Sequence, residues 1–206
     1  MTLEIFVHRA MLNANENSLD GILNCVKNDF SLELDLRYNE HVYLTHDKNS
    51  SNILFEDACK ILQNSKFLIS LHIKEFSAIL PTIKIIKEFS LQTNSFLFMT
   101  DLDYKNIKNI VTDNVEIGYY ASNLPSITNS KFYWCDETQS KWYDKKNLED
   151  LHAHNIFCIA MSPELTKKAN KDEIQSEWER FINLDFDGIC TNFPLELKDF
   201  VENSSI

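Results

Sequence analysis

Apolar positions along the chain follow two alternating rhythms. Short runs rich in β-branched and aromatic residues predict strands over residues 3–7, 30–36, 67–73, 95–101, 115–120, 131–135, 156–161 and 188–191. Between them, apolar residues recur at helical spacing over 18–27, 55–64, 78–89, 104–111, 147–154, 172–184 and 195–202. Asn17 or Ser18 offers a cap for the first helix, and Ser162-Pro163 closes the seventh strand. Residues 121–130 show no helical pattern and predict a plain loop.

Strands alternating with helices imply parallel pairing through right-handed crossovers, either doubly wound or closed as a barrel. Eight repeats favour the α/β class in its (β/α)8 TIM-barrel form. The usual barrel has about 250 residues, so a chain of 206 must be a compact version. No linker or internal repeat divides it, which predicts a single domain over residues 1–206.

Composition narrows the choice. The 44% hydrophobic and 25% charged fractions suit a globular protein, and no apolar run approaches the 18 or so residues of a membrane span. A net charge of −11 opposes binding to nucleic acid. Three glycines leave no room for a glycine-rich phosphate loop, excluding Rossmann and Walker readings. The five cysteines are odd in number and lack a CxxC pair, which suits buried thiols in a cytoplasmic protein. The sequence sets no oligomeric state.

Polar residues gather at the C-terminal ends of the predicted strands, where parallel barrels keep their active sites. The first strand runs into His8-Arg9, the second carries Glu33, Asp35 and Arg37, a short segment delivers His46-Asp47, and the third ends in His72-Ile73-Lys74. With a strand period of two, Glu33, Asp35 and Arg37 share one face, as do His72 and Lys74. Two carboxylates spaced this way can grip a hard divalent cation. Arginine matches the forked geometry of a phosphate and lysine adds a point charge. Two histidines can act as general acid and base near neutral pH. Phosphodiester cleavage uses every part of this set. Trp134 and Asp136, at the end of the sixth strand, are candidates to line the substrate pocket.

The ordered pieces His8-Arg9, Glu16-Asn17-Ser18, Glu33-Leu34-Asp35 and His46-Asp47 resemble the signature of the glycerophosphodiester phosphodiesterase family. Ser162-Pro163-Glu164-Leu165 and Cys190-Thr191-Asn192-Phe193-Pro194 resemble elements of a branch associated with bacterial surface polysaccharides. The likeness spans nearly the whole chain. It implies that His8 and His46 are the acid/base pair, in either order, and that Arg9 and Lys74 contact phosphate. It implies a divalent metal, Mg²⁺ or Ca²⁺, on Glu33 and Asp35, with Glu16, Asn17 and Asp47 supporting from behind. The implied substrate is a glycerophosphodiester or a glycan bearing glycerol phosphate, and the resemblance allows a cyclic phosphate as the product of the first step.

Three positions depart from that pattern. His72 stands where the family has a third carboxylate ligand, which would bias the site toward Mn²⁺ or Zn²⁺. Ala10 replaces a glycine that would permit a positive φ, and Asn192 replaces an aspartate. The capping insertion after His-Asp is largely missing, since only residues 48–53 precede the next helix. These departures motivate a rival, a binding or assembly module on the same barrel without turnover; a second alternative, from release of the cyclic product, is a phospholipase-like lyase.

Overall fold

The computed structural model describes residues 3–48, 53–100, 115–123, 129–137 and 140–203. The predicted helix over 104–111 lies outside the described residues. The chain divides into two compact units, an N-terminal one of Val7–Gly118 and a C-terminal one of Tyr119–Ile206 joined by Met1–Phe6.

The N-terminal unit is built on β2 (Ser31–Asn39), β3 (His41–Leu44), β4 (Ile69–Ile73), β5 (Ser95–Phe98) and β6 (Glu116–Ile117). β2, β4, β5 and β6 pair in that order, all parallel, and β3 pairs antiparallel with β2. Their connections are α1 (Leu19–Lys27), α2 (Phe55–Leu62) and α3 (Ile79–Glu88). Each helix buries one stripe: Ile79, Thr82, Ile83 and Ile86 of α3 are inside at the spacing a helix requires. α1 starts where the Ser18 side chain accepts a hydrogen bond from Gly21 N. In β2 the leucines Leu32, Leu34 and Leu36 are fully buried, worth roughly 1.5–3 kcal/mol each. Alternation sends Glu33 and Asp35 to the other face, where they too are buried, at 2% and 1% exposure.

The C-terminal unit orders its strands β1 (Glu4–Val7), β10 (Gly188–Thr191), β9 (Phe157–Met161), β8 (Phe132–Cys135) and β7 (Tyr119–Ala121). Its helices are α4 (Lys145–His152), α5 (Lys171–Asn183) and α6 (Pro194–Asn203). Capping boxes open the first two, Asp144 with Asn147 and Asn170 with Glu173. Its core gathers Tyr133, Tyr143, Trp178, Phe181 and Phe186 with the strand residues Cys135, Cys158 and Ile189.

Two expectations are corrected. The second strand does not stop at Leu36: it runs to Asn39 and turns back through Glu40 into β3, forming a hairpin. The strand expected over 115–120 is broken at Gly118, so that β6 pairs with β5 and β7 with β8. Gly118 N donates to Leu97 O, and a Cβ there would lie 3.0 Å from the Phe96 ring. No helix among the described residues is long and apolar enough to cross a membrane.

Candidate active site

The site is assembled around Glu33 and Asp35. Asp35, His72 and Phe98 are register partners across β2, β4 and β5, so they form one row on one face. His72 Nδ1 lies 3.2 Å from Asp35 Oδ1 and 3.5 Å from Glu33 Oε1. Its ring stacks on Phe98 with centroids 4.5 Å apart, and its buried Nε2 has no hydrogen-bond partner. One ligand atom from each of Glu33, Asp35 and His72 falls within 4.8 Å of the other two. Burial opposes charge on Asp35, but hydrogen bonding to His72 and the cations of His72, Lys74 and Arg9 outweigh it. The carboxyl is therefore held well below its usual range. Burial likewise opposes a charged His72, while hydrogen bonds to Asp35 and Glu33 raise its pKa.

Local backbone fixes the cations. His8–Ala10 forms a single 3-10 turn after β1, with left-handed φ at Arg9 (52°) and Ala10 (49°). Arg9 N donates to Glu33 Oε2 at 2.9 Å, Arg9 Nε lies 3.1 Å from Asp35 Oδ2, and Arg9 Nη1 meets Glu16 Oε2 at 2.6 Å. Lys74 Nζ lies 3.5 Å from Asp35 Oδ1. Ala10 keeps the positive φ that a glycine would make easy. The glycine this corner requires is instead Gly21 of α1, where a Cβ would sit 2.1 Å from Ala10 O.

The remaining motif residues act on these groups. Asn17 is buried, itself at φ 52°, and binds Asp35 twice: its Nδ2 donates to Asp35 Oδ2 at 3.1 Å, and its Oδ1 accepts from Asp35 N at 3.0 Å. Thr45 N donates to Asp35 O at 2.9 Å, which ties the His46 segment to the same strand. His46 Nδ1 is 2.8 Å from Asp47 Oδ1, and Arg37 Nε donates to His46 O at 2.8 Å. The turn holding His8 and the segment holding His46 are thus both anchored on β2 within two residues of one another. Phe98, which sequence reasoning passed over, forms the apolar wall behind His72. Glu75, also passed over, accepts from Tyr38 N at 2.6 Å and faces Arg37.

Trp134 and Asp136 belong to the C-terminal unit. Trp134 packs edge-on against Phe6 at 6.1 Å. Asp136 is buried, accepts from the Tyr120 hydroxyl, and receives Trp142 Nε1 on its carbonyl at 2.7 Å. In the same unit the two C-terminal motif elements are joined through Glu164. Its carboxylate accepts from Ser162 Oγ, from Thr191 Oγ1 at 2.5 Å and from Asn192 N at 3.0 Å.

Parallel strands joined by helical crossovers define the class, an α/β protein, and in its N-terminal unit the buried carboxylates Glu33 and Asp35 meet His72, Arg9 and Lys74. Solved structures then make the fold specific. A glycerophosphodiester phosphodiesterase from Parabacteroides distasonis is 11% identical, with a TM-score of 0.75 over 99% of this chain and 98% of its own. An Oleispira antarctica phosphodiesterase in complex with its product sn-glycerol-3-phosphate is 12% identical, at 0.74 over 97% of both. A glycerophosphodiester phosphodiesterase from Agrobacterium tumefaciens is 10% identical, at 0.73 over 98% and 100%. The chain has the TIM-barrel fold of these glycerophosphodiester phosphodiesterases. No family model and no curated protein matches the sequence.

Proposed function

We propose that this protein is a metal-dependent phosphodiesterase acting on glycerophosphodiester-type substrates. The carrying observation is the convergence of Glu33, Asp35 and His72 ligand atoms beside Arg9 and Lys74, with the His8 and His46 segments anchored to the same strand. The fold shared with glycerophosphodiester phosphodiesterases supports the substrate class, and the site residues carry the chemistry, which fold alone does not fix.

Two carboxylates and an imidazole suit a divalent cation, and the imidazole favours Mn²⁺ or Zn²⁺ over Ca²⁺ and Mg²⁺. When bound, such an ion neutralises phosphate charge and acidifies a neighbouring hydroxyl. Arg9 and Lys74 hold the phosphate oxygens and stabilise the charge that develops on them. One of His8 and His46 takes the proton from a substrate hydroxyl adjacent to the phosphate. The oxygen of that hydroxyl bonds to phosphorus as the bond to the leaving alcohol breaks. The other histidine gives its proton to the departing oxygen. The cyclic phosphate so formed is opened by water or released. Asp47, bonded to the His46 ring, sets that ring's orientation, and Asn17 fixes Asp35. Trp134 and Asp136 remain candidate substrate contacts. The Ser-Pro-Glu-Leu and Cys-Thr-x-x-Pro elements support a glycan carrying glycerol phosphate as one substrate, alongside small head groups.

The test is a screen of phosphodiesters with Mn²⁺, Mg²⁺, Ca²⁺ or Zn²⁺, from glycerophosphocholine to glycans bearing glycerol phosphate, with mass detection of cyclic products. Cleavage should fall by roughly 10²–10⁴-fold in either His8→Ala or His46→Ala. Full activity in either variant refutes the assignment.

A further inference from the structure

A second set of ligating side chains lies in the C-terminal unit, at the N-terminal ends of its strands. His152 closes α4, Cys158 is the second residue of β9, and Asp187 immediately precedes β10. Asp187 Oδ2 lies 3.0 Å from His152 Nε2 and accepts from Cys158 N at 2.7 Å, while Asp187 N donates back to Cys158 O at 3.0 Å. Ligand atoms of His152, Cys158 and Asp187 all fall within 4.8 Å of one another.

None of these residues enters the chemistry proposed above. A hydrogen-bonded strap would need only the Asp187 carboxylate and its two donors. It would not need a thiol within ligand distance of an imidazole. Ligands about 2.0–2.1 Å from a tetrahedral ion sit roughly 3.3 Å from each other, close to the His152–Asp187 separation. Sulfur and imidazole together select soft or borderline ions and discriminate against Ca²⁺ and Mg²⁺. His152, with a third of its side chain exposed, gives a route from solvent.

We propose that His152, Cys158 and Asp187 form a structural site for a thiophilic transition-metal ion of the zinc type, clipping α4 to β9 and β10. The site is independent of the phosphodiesterase reading. It is tested by titrating the metal-free, full-length protein with Co²⁺ and following the thiolate-to-cobalt charge-transfer band in the near ultraviolet. The Glu33–Asp35–His72 cluster has no sulfur and cannot give that band. One equivalent of Co²⁺ should produce it, Zn²⁺ should abolish it by displacement, and Zn²⁺ alone should raise the melting temperature. Both His152→Ala and Cys158→Ser should lose the band, whereas Glu33→Gln should keep it. If Cys158→Ser does not fold, the part-exposed His152→Ala decides alone. Absence of the band with excess Co²⁺, or its survival in His152→Ala, overturns the site.

Discussion

Asn17 holds Asp35 by both its ends, donating from its amide to the carboxylate at 3.1 Å and accepting from the Asp35 backbone at 3.0 Å. Both atoms it serves are buried, so losing the amide leaves a backbone N–H without a partner and a carboxylate with one donor fewer. Replacement of Asn17 by Gly, which tolerates the φ of 52°, removes the side chain without adding backbone strain. It should cost about 1–3 kcal/mol in urea unfolding. Unchanged stability would mean that the clamp carries no energy.

Asp35 itself sets an acid limb. Its folded pKa is depressed, so the stability it contributes is fully present above the unfolded value of about 3.9 and is lost as pH falls through the lower folded value. Asp35→Asn should flatten that limb between roughly pH 4 and pH 2 relative to the parent. At neutral pH it leaves Arg9, Lys74 and His72 facing a neutral amide, and should destabilise by about 3–5 kcal/mol. Thermal melts across the pH series measure both effects.

Gly21 gives a prediction whose sign runs against helix propensity. Alanine in the first turn of an exposed helix normally gains up to about 1 kcal/mol over glycine. Here its Cβ would stand 2.1 Å from Ala10 O, a backbone atom, so the turn carrying Arg9 must shift. Gly21→Ala should lose about 1–3 kcal/mol net and also lower the proposed phosphodiesterase activity. A stabilised variant would contradict the packing.

The thiols of α1 and α2 should be inert. Burial pushes Cys25 up to about 12, and burial with the nearby Glu56 raises Cys59 as well. Iodoacetamide at pH 8 should leave both unmodified in the native protein and modify both once it is unfolded, as read by peptide mass spectrometry.

Much of this organisation is legible in the residues. Buried parallel strands announce themselves as apolar runs, so charges inside one, as at Glu33 and Asp35, mark the site. The β2–β3 hairpin is hidden because Glu40 makes its turn at φ 64°, where a sequence reader looks for glycine or Asn-Gly. Phe98 is hidden for another reason: only strand register puts it beside His72, and register is not local in sequence. The break at Gly118 is a change of pairing partner within one apolar run, which periodicity alone does not reveal.

Arg9 and Lys74 are already occupied, each turned toward Asp35. In the proposed role of phosphate contacts they would have to turn from that carboxylate toward the anion, so their charge is held in reserve rather than on display. On the proposed function, a cation that took over Asp35 would free Arg9 and Lys74 together for the ester, so filling one half of the site would ready the other.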